Sequence, residues 1–131
     1  HSVSAEIDRA AFQQPEYRAT LKLITRRGLP CYLDISRVSQ GRVTRAEIIG
    51  AEGQALADWT TGIVRRISQG NETTDYACPP RATLVDLLRD FCQALQTESP
   101  MPITADDGLR AVQIADACYQ SAQNGKPVVL D

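Results

Sequence analysis

The sequence predicts an α+β fold, an open and mostly antiparallel β-sheet with two amphipathic helices packed on one face. Three observations support this class. Up to about residue 67, short β-branched and aromatic runs alternate with turn residues, and no helical stripe is sustained. From residue 83 onward the apolar residues follow a helical period. A short valine-rich run closes the chain. We therefore expect residues 1–131 to form a single domain.

The first three predicted strands alternate between apolar and polar residues. They span Ser2 to Arg9, Tyr17 to Thr25 and about Pro30 to Val38, with a loop containing Pro15 after the first. Successive side chains of a strand point to opposite faces, so each strand has one apolar and one polar face. This pattern is typical of an antiparallel sheet that is covered on one side only.

Further strands are predicted at Val43 to Ile49 and at Ile63 to Ile67, and a short strand through Leu56 is predicted after the turn that follows Ile49. Gly50 and Gly53 lie three positions apart in that turn, where we expect both to adopt positive φ. The segment from Ser68 to Pro80 is polar, contains glycine and ends in proline. It is the longest predicted loop.

The first predicted helix begins at Thr83, which is followed by Asp86 at the spacing of a capping box. Apolar residues then recur every three or four positions, which predicts one buried stripe. The stripe consists of Leu84, Leu87, Leu88, Phe91, Cys92 and Leu95.

The second predicted helix opens with Thr104 and Asp107 and ends at Asn124 and Gly125, which supply a left-handed stop. Val128 to Leu130 then forms the closing strand. The predicted apolar stripe of this helix consists of Leu109, Val112, Ala115, Cys118 or Tyr119, and Ala122.

Composition argues against two classes of partner. Of the 131 residues, 43% are hydrophobic and 23% are charged, with a net charge of -2. A net negative chain does not attract phosphate backbones or anionic lipids. No run approaches the roughly 18 apolar residues that cross a bilayer, and the first residues lack the order of a secretory signal. We expect a cytoplasmic protein with neither nucleic acid nor membrane as a partner.

Metal and nucleophile chemistry find little support in the sequence. The cysteines at 31, 78, 92 and 118 form no CxxC pair, so we interpret them as reduced and mostly buried. His1 is the single histidine. Ser36 and Ser121 therefore have no histidine base to activate them. We predict no catalytic residue and no metal ligand in this chain.

The nucleotide and acid–base motifs are equally weak. A dinucleotide fingerprint needs GxGxxG between a strand and a helix, whereas a further strand is predicted after Gly53. We thus predict no cofactor-binding residue here. Asp106 and Asp107 lie in the first turn of a helix, where capping explains two carboxylates better than general acid–base catalysis.

The candidate functional residues lie on the predicted sheet. Charged and aromatic side chains there can be solvated, contact another subunit or contact a ligand, and the sequence leaves these three alternatives open. The candidates are Arg18, Lys22, Tyr32, Asp34 and Arg45. Trp59 lies at a strand-to-loop junction, where filling a gap in the core is preferred over anchoring an interface.

The C-terminal segment resembles the C-terminal domain of the Gfo/Idh/MocA family of NAD(P)-dependent oxidoreductases. Two further stretches are similar to that family, the turn IIGAEGQALAD, with Ala51 where threonine is usual, and the helix LLRDFCQAL with Asp90 and Phe91. The residues that carry the C-terminal resemblance are Asp107, Gly108, Leu109, Ala111, Ala115, Ala117, Tyr119, Ser121, Ala122, Gly125, Val128 and Leu130.

This resemblance implies that the chain is the C-terminal part of a longer dehydrogenase. Complete family members carry an N-terminal Rossmann domain, a Glu-Lys-Pro lysine and an Asp-x-Gly-x-His helix, none of which occurs in residues 1–131. The resemblance implies NAD or NADP bound by the missing Rossmann domain, hydride transfer with a sugar, polyol or related carbonyl compound, and a sheet that provides substrate wall and homo-oligomer contacts. The alternative is a stand-alone, non-enzymatic module that dimerises through its exposed sheet.

Overall fold

The structure, a computed structural model, describes residues 1–8, 16–38, 40–79 and 81–130. Within these ranges the chain forms eight strands and two helices. The strands are β1 (Ser2–Asp8), β2 (Arg18–Ile24), β3 (Pro30–Ser36), β4 (Arg45–Gly50), β5 (Gly53–Asp58), β6 (Ile63–Ser68), β7 (Thr73–Ala77) and β8 (Val128–Val129). The helices are α1 (Thr83–Thr97) and α2 (Ala105–Asn124).

The chain forms two compact units. The first unit comprises His1–Ser39 and Pro100–Asp131, and the second comprises Gln40–Ser99. The first contains α2 and a sheet with the strand order β3-β2-β1-β8, and the second contains α1 and a sheet with the order β4-β5-β6-β7. Every strand pair is antiparallel. The predicted α+β class is therefore confirmed, although the strands divide between two sheets.

The two sheets are built mainly from neighbours in sequence. Short turns favour hairpins, so consecutive strands pair, and among the described strands the single long-range pair joins β1 to β8. The predicted Arg9 end of the first strand and the Pro15 loop lie outside the described residues. That residues 1–131 constitute a single domain stays a prediction.

The core of the first unit lies between α2 and one face of its sheet. Val3 in β1 and Leu21 in β2 are buried and contact Ala117 and Cys118 of α2. The register pairs Val3 with Leu23 and Ala5 with Leu21, so the apolar positions of neighbouring strands share this face. The opposite face of the sheet carries the polar positions.

The buried face of α2 differs from the predicted one. Leu109 and Val112 are 57% and 67% exposed, whereas Ala117, Cys118 and Ser121 are buried. Small side chains at these positions allow the helix backbone to approach β1 closely. The expected stripe was therefore wrong at its first three positions, since Ala115 is exposed as well, and right at Cys118.

Ser121 links the two ends of the chain. Its buried hydroxyl accepts a hydrogen bond from the backbone N–H of Ala5 at 3.1 Å. β8 pairs only with Ser2 and Val3 of β1, so the paired region does not extend as far as Ala5. The serine of α2 therefore satisfies a backbone donor that the short closing strand leaves without a partner.

Both ends of α2 agree with the sequence. The hydroxyl of Thr104 accepts from the N–H of Asp107, and the Asp107 carboxylate accepts from the Thr104 N–H at 2.8 Å. This capping box is confirmed, and its hydrogen bonds hold the pKa of Asp107 below its usual value. Gly125 ends the helix with a φ of 64°, in the left-handed region that favours glycine.

The start and the apolar stripe of α1 differ from expectation. The N-cap residue is Ala82, and no side chain caps the helix. Asp86 instead forms ion pairs with Arg81 at 3.1 Å and Arg89 at 2.9 Å. Within α1 the buried residue is Ala94, and the predicted stripe is largely exposed, with Phe91 at 47%.

The predicted long loop of the second unit contains β7. Threonine and tyrosine favour extended structure, and Thr73–Ala77 pairs with β6 along its whole length. A double hydrogen bond between Arg65 and Asp75, each contact 2.7 Å long, reinforces this pair. The prediction of a loop was therefore wrong for Thr73–Ala77.

Candidate functional site

Four of the five candidate residues lie on one surface of the first sheet. Arg18 and Lys22 occupy alternate positions of β2, and Tyr32 and Asp34 occupy alternate positions of β3. The register pairs Lys22 with Tyr32, and α2 packs on the other face. We call this surface, defined by these four residues, the polar face.

An ion pair fixes one end of the polar face. A guanidinium nitrogen of Arg18 lies 2.9 Å from a carboxylate oxygen of Asp34, and this contact raises the pKa of Arg18 further. Both side chains are more than half exposed, so water screens the attraction and the pair adds little to stability. Its ordered charges are available for a partner.

A cation–π contact occupies the neighbouring position. The Lys22 ammonium lies 5.9 Å from the centre of the Tyr32 ring, and Tyr32 is 71% exposed. A tyrosine ring on a sheet surface offers apolar area together with a hydroxyl group. The polar face thus combines charge, hydrogen-bonding groups and an aromatic ring.

The fifth candidate, Arg45, belongs to the second unit. It starts β4 and donates to the Asp58 carboxylate at 2.8 Å. Desolvation raises the pKa of Asp58. Hydrogen bonds from Arg45 and from the N–H groups of Thr60 and Thr61 lower it, and together they outweigh desolvation, so the pKa lies below its usual value. Asp58 therefore organises the turn after β5.

Sequence reasoning missed Asp58 and the Arg65–Asp75 pair. The hydrogen bonds from Arg65 lower the pKa of Asp75 and raise that of Arg65. These contacts depend on the register of β5 with β4 and of β6 with β7. Recognising TTDYA as a strand would have placed Arg65 opposite Asp75.

Trp59 does not fill the core. Its side chain is 60% exposed, so the preferred interpretation was wrong. The backbone N–H of Trp59 donates to the carbonyl of Thr44 at 3.0 Å, which holds the backbone after the end of β5 beside the residue that precedes β4. An exposed indole on an ordered backbone is available to a ligand or a partner.

The thiols are free, as expected, but their burial was predicted wrongly. Cys118 is buried, and desolvation raises its pKa. Cys31, Cys78 and Cys92 are exposed, because the sheet edge, the end of β7 and α1 have no covering element in their units. In the described ranges, no three His, Cys, Asp or Glu side chains cluster as metal ligands would.

A nicotinamide dinucleotide bound in the Rossmann manner does not fit the residues that the structure describes. Such a site places pyrophosphate at the start of a helix that follows a parallel strand. The described strands pair antiparallel throughout, and the turn from β7 to α1 contains Pro79 and Arg81 rather than a glycine run.

Across the described ranges, neither helix has the length and apolarity that crossing a membrane requires.

The whole chain is similar to known oxidoreductases. The domain described as "Oxidoreductase family, C-terminal alpha/beta domain" (GFO_IDH_MocA_C) matches residues 2–130. An uncharacterized oxidoreductase of Bacillus subtilis, YrbE, is 29% identical over 124 residues. That alignment covers 86% of this chain but 35% of the relative.

Two solved structures share the fold. An oxidoreductase from Agrobacterium radiobacter, in complex with NAD+, L-tartaric acid and magnesium, superposes with a TM-score of 0.82 at 16% identity, covering 97% of this chain and 42% of its own. Aldose-aldose oxidoreductase from Caulobacter crescentus, complexed with glycerol, gives 0.82 at 19% identity, covering 98% and 41%. The chain therefore spans well under half the length of these proteins.

Proposed function

The chain belongs to the Gfo/Idh/MocA oxidoreductase family as its C-terminal α/β domain, and from this premise we propose its role in a longer enzyme. That enzyme is an NAD(P)-dependent dehydrogenase acting on a sugar, a polyol or a related carbonyl compound. The domain supplies a wall of the substrate region and contacts between subunits. The match over residues 2–130 is the observation that carries the proposal.

The similar proteins support the cofactor and the substrate class. One was solved with NAD+ and another is an aldose-aldose oxidoreductase. The described residues of this chain do not fit a Rossmann nucleotide site, so we assign the cofactor to an N-terminal Rossmann domain, which also supplies the catalytic groups. The present domain is inactive when isolated.

Positioning is the contribution we assign to the domain. Hydride transfer requires the reacting carbon to be held at a fixed distance and angle from the nicotinamide. A sheet backed by a helix is rigid enough to hold a wall of that kind. The Arg18–Asp34 pair and the Lys22–Tyr32 contact keep the polar face ordered for a substrate or for a neighbouring subunit.

Analysis of the native gene product tests this proposal. Its mass, measured after isolation from the source cell, should exceed that of 131 residues. The purified protein should reduce NAD+ or NADP+ in the presence of at least one member of a panel of aldoses and polyols. The isolated 131-residue chain should show no saturable binding of NADH or NADPH.

Two results would contradict the proposal. A native product of 131 residues that does not reduce NAD+ or NADP+ would favour the stand-alone assembly module instead. Tight, saturable NADH binding by the 131-residue chain would place the cofactor site in this domain rather than in a Rossmann domain.

A further inference from the structure

A cavity of about 760 Å³ lies within the second unit, at the end of its sheet. Pockets of roughly 300–1,000 Å³ accommodate small organic ligands. The cavity lies where β4 begins, where β5 turns into β6, and where the chain passes from β7 to α1. The lining residues used below are Arg42, Thr44, Trp59, Thr60, Cys78 and Arg81.

Hydrogen bonds hold the indole wall of the cavity in place. Asp58 accepts from the N–H of Thr60 at 2.8 Å and of Thr61 at 3.3 Å, which fixes the turn after β5. The Gly62 N–H closes the same turn by donating to the Asp58 carbonyl at 2.9 Å. Trp59 is therefore displayed on an ordered backbone, although its ring is mostly exposed. A flat apolar ring held in this way can bind another flat apolar surface without first being ordered.

One charged side chain that lines the cavity has no partner of opposite charge in the part of the chain that the structure describes. Asp58 is neutralised by Arg45, and Arg81 is paired with Asp86. Among the described residues, no carboxylate lies within ion-pair distance of Arg42. One guanidinium therefore lines the cavity without a counter-charge, and guanidinium groups bind carboxylates and phosphates through two parallel hydrogen bonds.

The cavity also contains hydroxyl groups. Thr44 and Thr60 both line it, and the Thr60 hydroxyl donates to the Arg42 carbonyl at 3.4 Å. A hydroxyl group has one proton and two lone pairs, so Thr60 can still accept from a hydroxyl group of a sugar. Aromatic, cationic and hydroxyl groups thus converge on the same space.

We propose that this cavity binds a pyranose that carries an anionic group, either a carboxylate or a phosphate. The C–H face of the ring stacks on the indole of Trp59, the ring hydroxyls bind Thr44 and Thr60, and the anion binds Arg42. The choice of a sugar ring rests on the function proposed above. The requirement for an anion rests on the unbalanced charge alone.

Fluorescence of the 131-residue chain tests the proposal, since Trp59 is the single tryptophan. Glucuronate and glucose 6-phosphate should each change its emission saturably, and at least one should bind about ten-fold more tightly than glucose. The preferred acid identifies the anion as carboxylate or phosphate. Arg42→Gln should remove this preference, whereas the matched control Arg26→Gln, in the first unit, should keep it.

Thiol labelling provides a second readout that does not depend on fluorescence. Cys78 lines the cavity, whereas the exposed Cys31 and Cys92 do not. A bound acidic sugar should slow alkylation of Cys78 by iodoacetamide and leave the other two rates unchanged, as measured by peptide mass. Trp59→Phe should weaken binding when it is measured by calorimetry.

Several outcomes would overturn the assignment. These are equal affinity for glucose and both acids, an unchanged preference in Arg42→Gln, or binding of inorganic phosphate or adenosine monophosphate as tight as that of the sugar acids. These binding measurements use no NAD(P) cofactor, so they do not depend on dehydrogenase activity. A native protein of full length that reduces NAD(P)+ while its C-terminal domain ignores acidic sugars would therefore refute this inference and leave the proposed function intact.

Discussion

At the scale of single residues, Ser121 shows how a side chain can complete a sheet. The tail motif places a serine near the end of α2, and the sequence offers a nucleophile as one interpretation of it. In the structure its hydroxyl is buried and accepts from Ala5 in β1. The role of Ser121 is therefore structural, because it joins the first strand to the last helix.

Replacing Ser121 tests this role. Ser121→Ala leaves the partly buried Ala5 N–H without its acceptor, so the free energy of unfolding should fall by about 1–3 kcal/mol. The control is Ser36→Ala, which removes an exposed hydroxyl that accepts from Val38 at 3.3 Å and should change stability by less than about 0.5 kcal/mol. Equal losses in urea denaturation of the two variants would contradict the structural role.

At the scale of elements, the β4–β5 turn separates two glycines that look alike in sequence. Gly53 has a φ of 144°, and a Cβ there would lie 2.3 Å from the Ile67 carbonyl oxygen. Gly50 does not have positive φ, and its Cβ would lie at an ordinary 3.7 Å from the Gly53 carbonyl oxygen. The expectation of positive φ at both positions was therefore right for Gly53 and wrong for Gly50.

Alanine substitutions distinguish the two glycines. Gly53→Ala should destabilise the chain by about 1–3 kcal/mol through backbone strain alone, and the contact with β6 should add to this loss. Gly50→Ala should change the free energy of unfolding by less than about 0.5 kcal/mol. Thermal unfolding followed by circular dichroism measures both. A loss at Gly50 as large as that at Gly53 would contradict the geometry of the turn.

Elements were predicted well where the signal is local. The alternation of β1, β2 and β3 and the capping box of α2 depend on residues within a few positions of one another, and all are confirmed. The capping box expected at Thr83 was wrong, because Asp86 binds two arginines instead. That competition depends on which charged side chains reach Asp86, which spacing does not encode.

At the scale of the whole molecule, lowered carboxylate pKa values make the free energy of unfolding depend on pH in the acid range. Hydrogen bonds from Arg65 hold the pKa of Asp75 below that of an unfolded chain, which is about 3.9. A group with a lowered folded pKa stabilises the fold above its unfolded pKa, and this contribution is lost as the pH falls through the folded pKa. The loss therefore begins near the unfolded pKa and increases below it.

Two substitutions test this coupling. Asp75→Asn and Arg65→Gln should each make the free energy of unfolding fall less steeply below about pH 4, since each removes the same pair. The double variant should show no further change in slope. Urea unfolding at several pH values measures the slope, and an acid limb that neither substitution affects would refute the coupling.

The polar face leads to a prediction about assembly. If it contacts a second copy of the chain, Tyr32→Glu should weaken self-association by about ten-fold, because it places a charge in the contact. Tyr76→Glu, which changes a tyrosine of the second sheet, should have less effect. Sedimentation at increasing protein concentration measures both, and a wild-type chain that stays monomeric throughout would contradict subunit contact by this domain.

The sequence by itself determined the α+β class, most strand positions, the ends of α2 and, through the tail motif, the family. Tertiary structure decided which side of α2 is buried, where Trp59 points and which arginine pairs with which aspartate. The physical reason is the separation in sequence of the residues that interact. Periodicity and capping arise from neighbours in the chain, whereas burial and ion pairing depend on contacts between residues far apart in sequence. The four residues of the polar face came together because β2–β3 pairing combined two correctly predicted alternations.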